Sequence, residues 1–74
     1  MTIRIGTQVR ESETDPNWQM YPGETGVVVA RADEEMGFSP GEGGFGRFWM
    51  VRFVDDAGTF EDGVFMDTDL VKVS

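Results

Sequence analysis

The sequence predicts an all-β barrel of five short strands, and three observations carry that prediction. Apolar and polar residues alternate with period two in several stretches, as in strands buried on one face. Turn-forming residues punctuate those stretches at short intervals. No segment keeps a helical period over a useful length, so nothing competes with the strand reading. Seventy-four residues make one domain, and a chain this short buries only about 60% of the surface it exposes when unfolded.

Ile3, Ile5, Thr7 and Val9 alternate with Arg4, Gly6, Gln8 and Arg10, which predicts the first strand. Residues 11–19 are polar turn formers and make a first long loop. It ends at Tyr21-Pro22-Gly23, where Pro presets φ and Gly supplies a positive φ without steric cost. The β-branched run Val27-Val28-Val29 then places the second strand at about Thr25 to Asp33. Parity puts Val28 and Ala30 on one face and Val27, Val29 and Arg31 on the other, which the arginine marks as the more exposed.

Residues 34–47 form the second long loop, since five glycines and a proline within ten residues leave no room for a helix or strand interior. A loop this long in so small a domain is functional or partly disordered as a rule. Phe48 to Val54 is the clearest strand, with Trp49, Val51 and Phe53 on its core face. Asp55-Asp56-Ala57-Gly58 is a tight turn into a returning strand from Thr59 to Phe65. Phe60 and Phe65 are expected in the core, and Gly63 marks a bulge or bend. Residues 66–70 read as one helical turn capped by Asp67 or Thr68, and Val71-Lys72-Val73 as the last strand. Closing such a sheet would remove its exposed edges.

This order of elements resembles an SH3-like barrel. The likeness rests on Gly6-Thr7-Gln8-Val9-Arg10, Gly23-Glu24-Thr25-Gly26-Val27-Val28, Trp49-Met50-Val51-Arg52-Phe53 and Asp69-Leu70-Val71-Lys72-Val73. Similar landmarks occur in KOW-type domains, in the photosystem I reaction-centre subunit IV, and in the variable chain of ferredoxin–thioredoxin reductase. The resemblance implies a five-stranded SH3-like barrel with two long loops and a short helical turn before the last strand. KOW domains carry a basic Gly-x-x-Gly turn that touches RNA, whereas here the intervening residues are Glu24 and Thr25. Peptide-binding SH3 domains line their groove with a Tyr-rich segment, of which only Trp18 and Tyr21 have counterparts here. The photosystem and reductase barrels are non-catalytic subunits that dock on larger proteins, and that general role is what the likeness implies.

Charge narrows the function further. Fourteen acidic against six basic residues give a net charge of −8. Nucleic-acid affinity comes largely from Lys and Arg displacing phosphate counterions, so this chain would repel a phosphate backbone and attract a basic partner. Solubility alone is the other reading of such acidity. Absence of His and Cys removes the commonest general base, thiolate nucleophiles and disulfides. No enzyme activity, cofactor or metal site is expected. The short polar start Met1 to Ile5 is not a signal peptide and no apolar run reaches membrane length, so a soluble cytoplasmic protein is expected.

Two motifs are better read as structure than as chemistry. Gly41 to Gly46 matches G-x-G-x-x-G, but Pro40 precedes it, a strand follows it, and Glu42 would repel phosphate. The acidic clusters (33–35, 55–56, 61–62, and Asp67 with Asp69) lack the EF-hand register and read as solvated loops.

The loop aromatics are the better lead. They either anchor a partner or fold back over the ends of a small core. The expected function is a non-catalytic acidic protein-binding module docking on a basic protein surface. Its expected anchors are Trp18, Met20, Tyr21, Phe38 and Phe45, with Asp33, Glu34 and Glu35 steering association. One alternative is a phage-type inhibitor whose carboxylates form a continuous stripe imitating nucleic acid. Another is KOW-like nucleic-acid binding, which needs Arg4, Arg10, Arg31, Arg47 and Arg52 to converge on one face.

Overall fold

The structure, a computed structural model, describes residues 3–12, 20–21 and 23–73. Five antiparallel strands form one sheet in the order β4-β3-β2-β1-β5. These are β1 (Gln8–Glu11), β2 (Gly26–Arg31), β3 (Phe48–Val54), β4 (Phe60–Met66) and β5 (Leu70–Lys72). The all-β class follows the alternation in the sequence. The sheet is open, with β4 and β5 as its edges. Among the described residues no helix is long and apolar enough to cross a membrane.

The first strand is shorter than the alternation suggests. Thr7 N–H donates to the Arg4 carbonyl at 3.0 Å, and Arg4 N–H donates to Thr7 Oγ1 at 3.1 Å. That closed turn interrupts the extended run and leaves Ile5 exposed. At the entrance to β2, Glu24 N–H donates to the Tyr21 carbonyl at 3.2 Å, and Gly23 has φ +76°. Both match a type II turn, whose third residue needs a positive φ.

Within β2 the predicted faces hold only as far as Val28. Val28 pairs with Val51, Ala30 with Met50 and Arg31 with Trp49, so a bulge lies between Val28 and Ala30. Two residues then oppose one, and the strand changes phase. Arg31 thereby shares the face of Trp49, not the face of Val27 to which plain alternation assigns it. Its guanidinium lies over the Trp49 ring at 5.0 Å and the Phe45 ring at 5.3 Å.

β3 and β4 form an unbroken seven-residue ladder from Phe48↔Met66 to Val54↔Phe60. Gly63 therefore marks no bulge. Phe60 lies opposite Val54 on the outer face and is 53% exposed, so it is not a core residue. The 3-10 turn Asp67–Asp69 stands where a helical turn is expected. Its start is tied by Asp69, whose carboxylate accepts Met66 N–H at 3.4 Å, and not by Asp67 or Thr68 side chains. The core is Val9, Val28, Trp49, Val51, Phe53, Phe65 and Leu70, with Ile3 and Tyr21 packed against it. Fully burying each of the larger side chains contributes about 1.5–3 kcal/mol.

Candidate functional site

Among the described residues two carboxylates are buried, Glu11 and Asp33, and each anchors a long loop. Glu11 follows Val9 by two residues and so faces the core side of β1. Its Oε1 accepts the N–H of Met20 at 2.9 Å and of Tyr21 at 2.7 Å, and Oε2 accepts Met20 N–H at 2.8 Å. Asp33 is 2% exposed. Its Oδ1 accepts Gly46 N–H at 2.8 Å and Phe48 N–H at 3.0 Å, while Oδ2 takes Arg31 Nε at 3.1 Å and Nη2 at 3.0 Å. Burial pushes the Asp33 carboxyl up, but the Phe48 and Gly46 amides and the Arg31 guanidinium outweigh it and hold the group below its ordinary value.

The second loop, read from sequence as lacking regular structure, is a chain of turns hung from that carboxylate. Met36 and Phe38 N–H donate to the Asp33 carbonyl at 3.2 and 2.9 Å, and Phe45 N–H to that of Glu42 at 3.1 Å. Phe38 stacks on Phe48, with ring centroids 5.2 Å apart.

The expected anchors therefore divide. Trp18 lies outside the described residues. Met20 is exposed beside Glu11, whereas Phe38 and Phe45 fold back and are half-buried. Asp33, Glu34, Glu35 and Phe45 line a small groove of about 160 Å³ with Arg31. Asp33 is spent there on amides and on Arg31, leaving Glu34 and Glu35 as its exposed acids.

Tyr21 organises a different place. Its ring stacks on Phe53 with centroids 4.2 Å apart and planes 13° from parallel, and meets Phe65 edge-on at 6.5 Å. Glycine at 63 makes room for this: a Cβ there would lie 2.9 Å from the Phe65 ring and 3.6 Å from the Tyr21 ring. A groove of about 310 Å³ opens beside the stack, lined by Tyr21, Glu24, Phe53, Asp55, Thr59 and Glu61. It has an aromatic floor, three carboxylates and, among the described residues that line it, no cation.

Glu61 reaches it because it lies opposite Phe53 in the β3–β4 ladder. Asp55 holds the hairpin turn, its Oδ1 accepting Ala57 N–H at 2.9 Å and Thr59 N–H at 3.0 Å. Burial raises the pKa of the Tyr21 phenol, and the charge and hydrogen bond of Glu61 add to the rise. Sequence reading selected Tyr21 but missed Glu24, Phe53, Asp55 and Glu61 as its neighbours.

Among the described residues, three further acids are engaged. Asp62 pairs with Arg52 at 2.8 Å and Asp67 with Arg47 at 3.4 Å, and the Glu42 carboxylate accepts Ser39 N–H at 2.8 Å. Among the described residues no group of three or more His, Cys, Asp or Glu side chains converges as a metal site. Comparison of the chain with family models, with curated proteins and with solved structures found no match.

Proposed function

We propose that this chain is a non-catalytic, acidic protein-binding module of SH3-like barrel type that docks on a basic protein surface in the cytoplasm. The observation that carries the proposal is the groove at Tyr21 and Phe53. An aromatic floor ringed by Glu24, Asp55 and Glu61 suits a partner that brings both apolar surface and positive charge. The net charge of −8 supports the same polarity of partner over a longer range. The strand order β4-β3-β2-β1-β5 and the 3-10 turn before β5 support the SH3-like barrel reading.

Nucleic-acid mimicry gains less support, because Asp33, Asp62 and Asp67 are paired with arginines and Glu11 is buried. Direct nucleic-acid binding gains less again, since Arg31, Arg47 and Arg52 are engaged by those same acids.

Affinity capture from the native host tests the reading. Wild type should retain a discrete protein partner at low salt and release it at high salt. The double substitution Glu24→Lys and Glu61→Lys should abolish capture without unfolding the chain. A partner held equally by that folded variant, or held regardless of salt, would refute the proposal.

A further inference from the structure

We propose that the Tyr21–Phe53 groove receives a single arginine side chain of the basic partner, its guanidinium laid on the Tyr21 ring and forked to the carboxylates of the rim. This rests on the docking reading above and specifies the group that the groove recognises.

The molecule already fills one such constellation with its own arginine. On the outer face of the β3–β4 ladder, Arg52 lies opposite Asp62. Its Nε and Nη2 donate to the two Asp62 oxygens at 2.8 and 3.0 Å, and its guanidinium sits 4.0 Å from the centroid of the Phe60 ring. A flat cation there satisfies a carboxylate and an aromatic face at once, which suits a planar fork better than a point charge.

The next rung of the ladder is Phe53↔Glu61, facing the other way. It offers the same two ingredients, a ring shelf made by Tyr21 on Phe53 and a carboxylate beside it. Glu24 and Asp55 add two more carboxylates, and the two backbone N–H groups that bond the Asp55 carboxylate both donate to Oδ1. What the second constellation lacks, among the described residues lining the groove, is the cation.

Charge complementarity decides the occupant. A second copy of this chain, also at −8, would meet like charge at the groove. An apolar side chain would cover the ring shelf but strip water from three carboxylates without replacing their partners. A lysine would satisfy charge without the parallel fork. Arginine satisfies ring, fork and charge together.

The test uses the full chain, labelled with ¹⁵N, and three acetylated and amidated pentapeptides, Gly-Gly-X-Gly-Gly, in which X is arginine, lysine or citrulline. Citrulline has the shape of arginine without its charge. The arginine peptide should give saturable amide shifts at Tyr21, Phe53 and Glu61, and bind about tenfold tighter than the citrulline peptide and about threefold tighter than the lysine peptide. Tyr21→Leu and Glu61→Gln should each weaken the arginine peptide about fivefold while leaving the shifts of β1 and β5 in place.

Equal binding of arginine and citrulline peptides overturns the proposal, as do shifts centred instead on Arg4 and Lys72, which line a separate groove together with Ile5, Gly6, Thr7 and Gln8. Equal binding of lysine and arginine overturns the guanidinium assignment and leaves the docking reading standing. Absence of any saturable shift also overturns the arginine proposal. If partner capture is nonetheless lost with Glu24→Lys and Glu61→Lys, the docking reading survives that failure.

Discussion

Replacing Asp33 should loosen the second loop in two steps of different size, because its two oxygens do separate jobs. Oδ1 accepts the Gly46 and Phe48 amides, and Oδ2 faces the Arg31 guanidinium. Asp33→Asn can keep a carbonyl oxygen on the two amides while turning an NH₂ toward Arg31. Two charge-assisted bonds become neutral ones, at about 1 kcal/mol each. The Arg31 side chain is 46% exposed and recovers its hydration, so losing that pair adds no more than about 1 kcal/mol. The expected loss for Asp33→Asn is therefore about 2–3 kcal/mol.

Asp33→Ala removes the acceptor altogether and leaves two amides unpaired at about 1–3 kcal/mol each, for a total near 4 kcal/mol. Urea unfolding followed by far-ultraviolet circular dichroism measures both, with trimethylamine oxide added to bring the weaker variant into range.

Acid gives the same carboxylate an independent signature. Its folded pKa lies below its unfolded one, so the unfolded chain binds more protons between the two values. The contribution is complete above the ordinary carboxylate pKa of about 3.9 and is lost as pH falls through the lower, folded value. The gap between wild type and Asp33→Asn should shrink over that window. Equal losses for Asn and Ala, losses within about 0.5 kcal/mol of wild type, or a gap indifferent to acid would refute the assignment of Asp33 as the anchor of the loop.

Tyr21 is the chain's one tyrosine, so its ionisation can be followed directly near 295 nm. Its folded pKa should lie above the ordinary value of 10.0, fall back in part with Glu61→Gln, and reach the ordinary value in urea. Because the folded value is raised, its contribution to stability is present below pH 10 and lost as pH rises through the folded pKa. Phe60→Ala should cost about 1 kcal/mol or less, since the ring is exposed under Arg52. Phe53→Ala should cost about 3–5 kcal/mol and leave the chain largely unfolded. Similar losses at the two positions in thermal melts would contradict the placement of their faces.

The legibility of the sequence follows the physics of alternation. β3 could be read from Phe48 to Val54 because aromatic and β-branched residues run through it, its one charged residue, Arg52, marks the outer face, and its ladder with β4 is unbroken. The same rule could have placed Phe60 outside, because residues five apart in an unbulged strand lie on opposite faces and Phe65 is inside. It could also have placed Glu11 inside, two residues beyond Val9.

Arg31 was not readable in this way, since no local residue pattern announces the bulge that moves it onto Trp49. At the groove, Phe53 opposite Glu61 follows from a tight hairpin and was within reach. The arrival of Tyr21 on top of that pair depends on how Glu11 ties down the end of a loop distant in sequence, which is tertiary information.

The bulge in β2 also sets where the chain can change length. Val29 and Ala30 together occupy the place opposite Met50, with Val28 and Arg31 in step with Val51 and Trp49 on either side. Deleting Val29 would leave Ala30 alone opposite Met50 and keep each later residue facing as it does now. The same deletion within the unbroken β3–β4 ladder would turn over every side chain that follows. Among the described ladders, β2 is thus the joint at which losing one residue is an adjustment of pitch and leaves the inside-outside code intact.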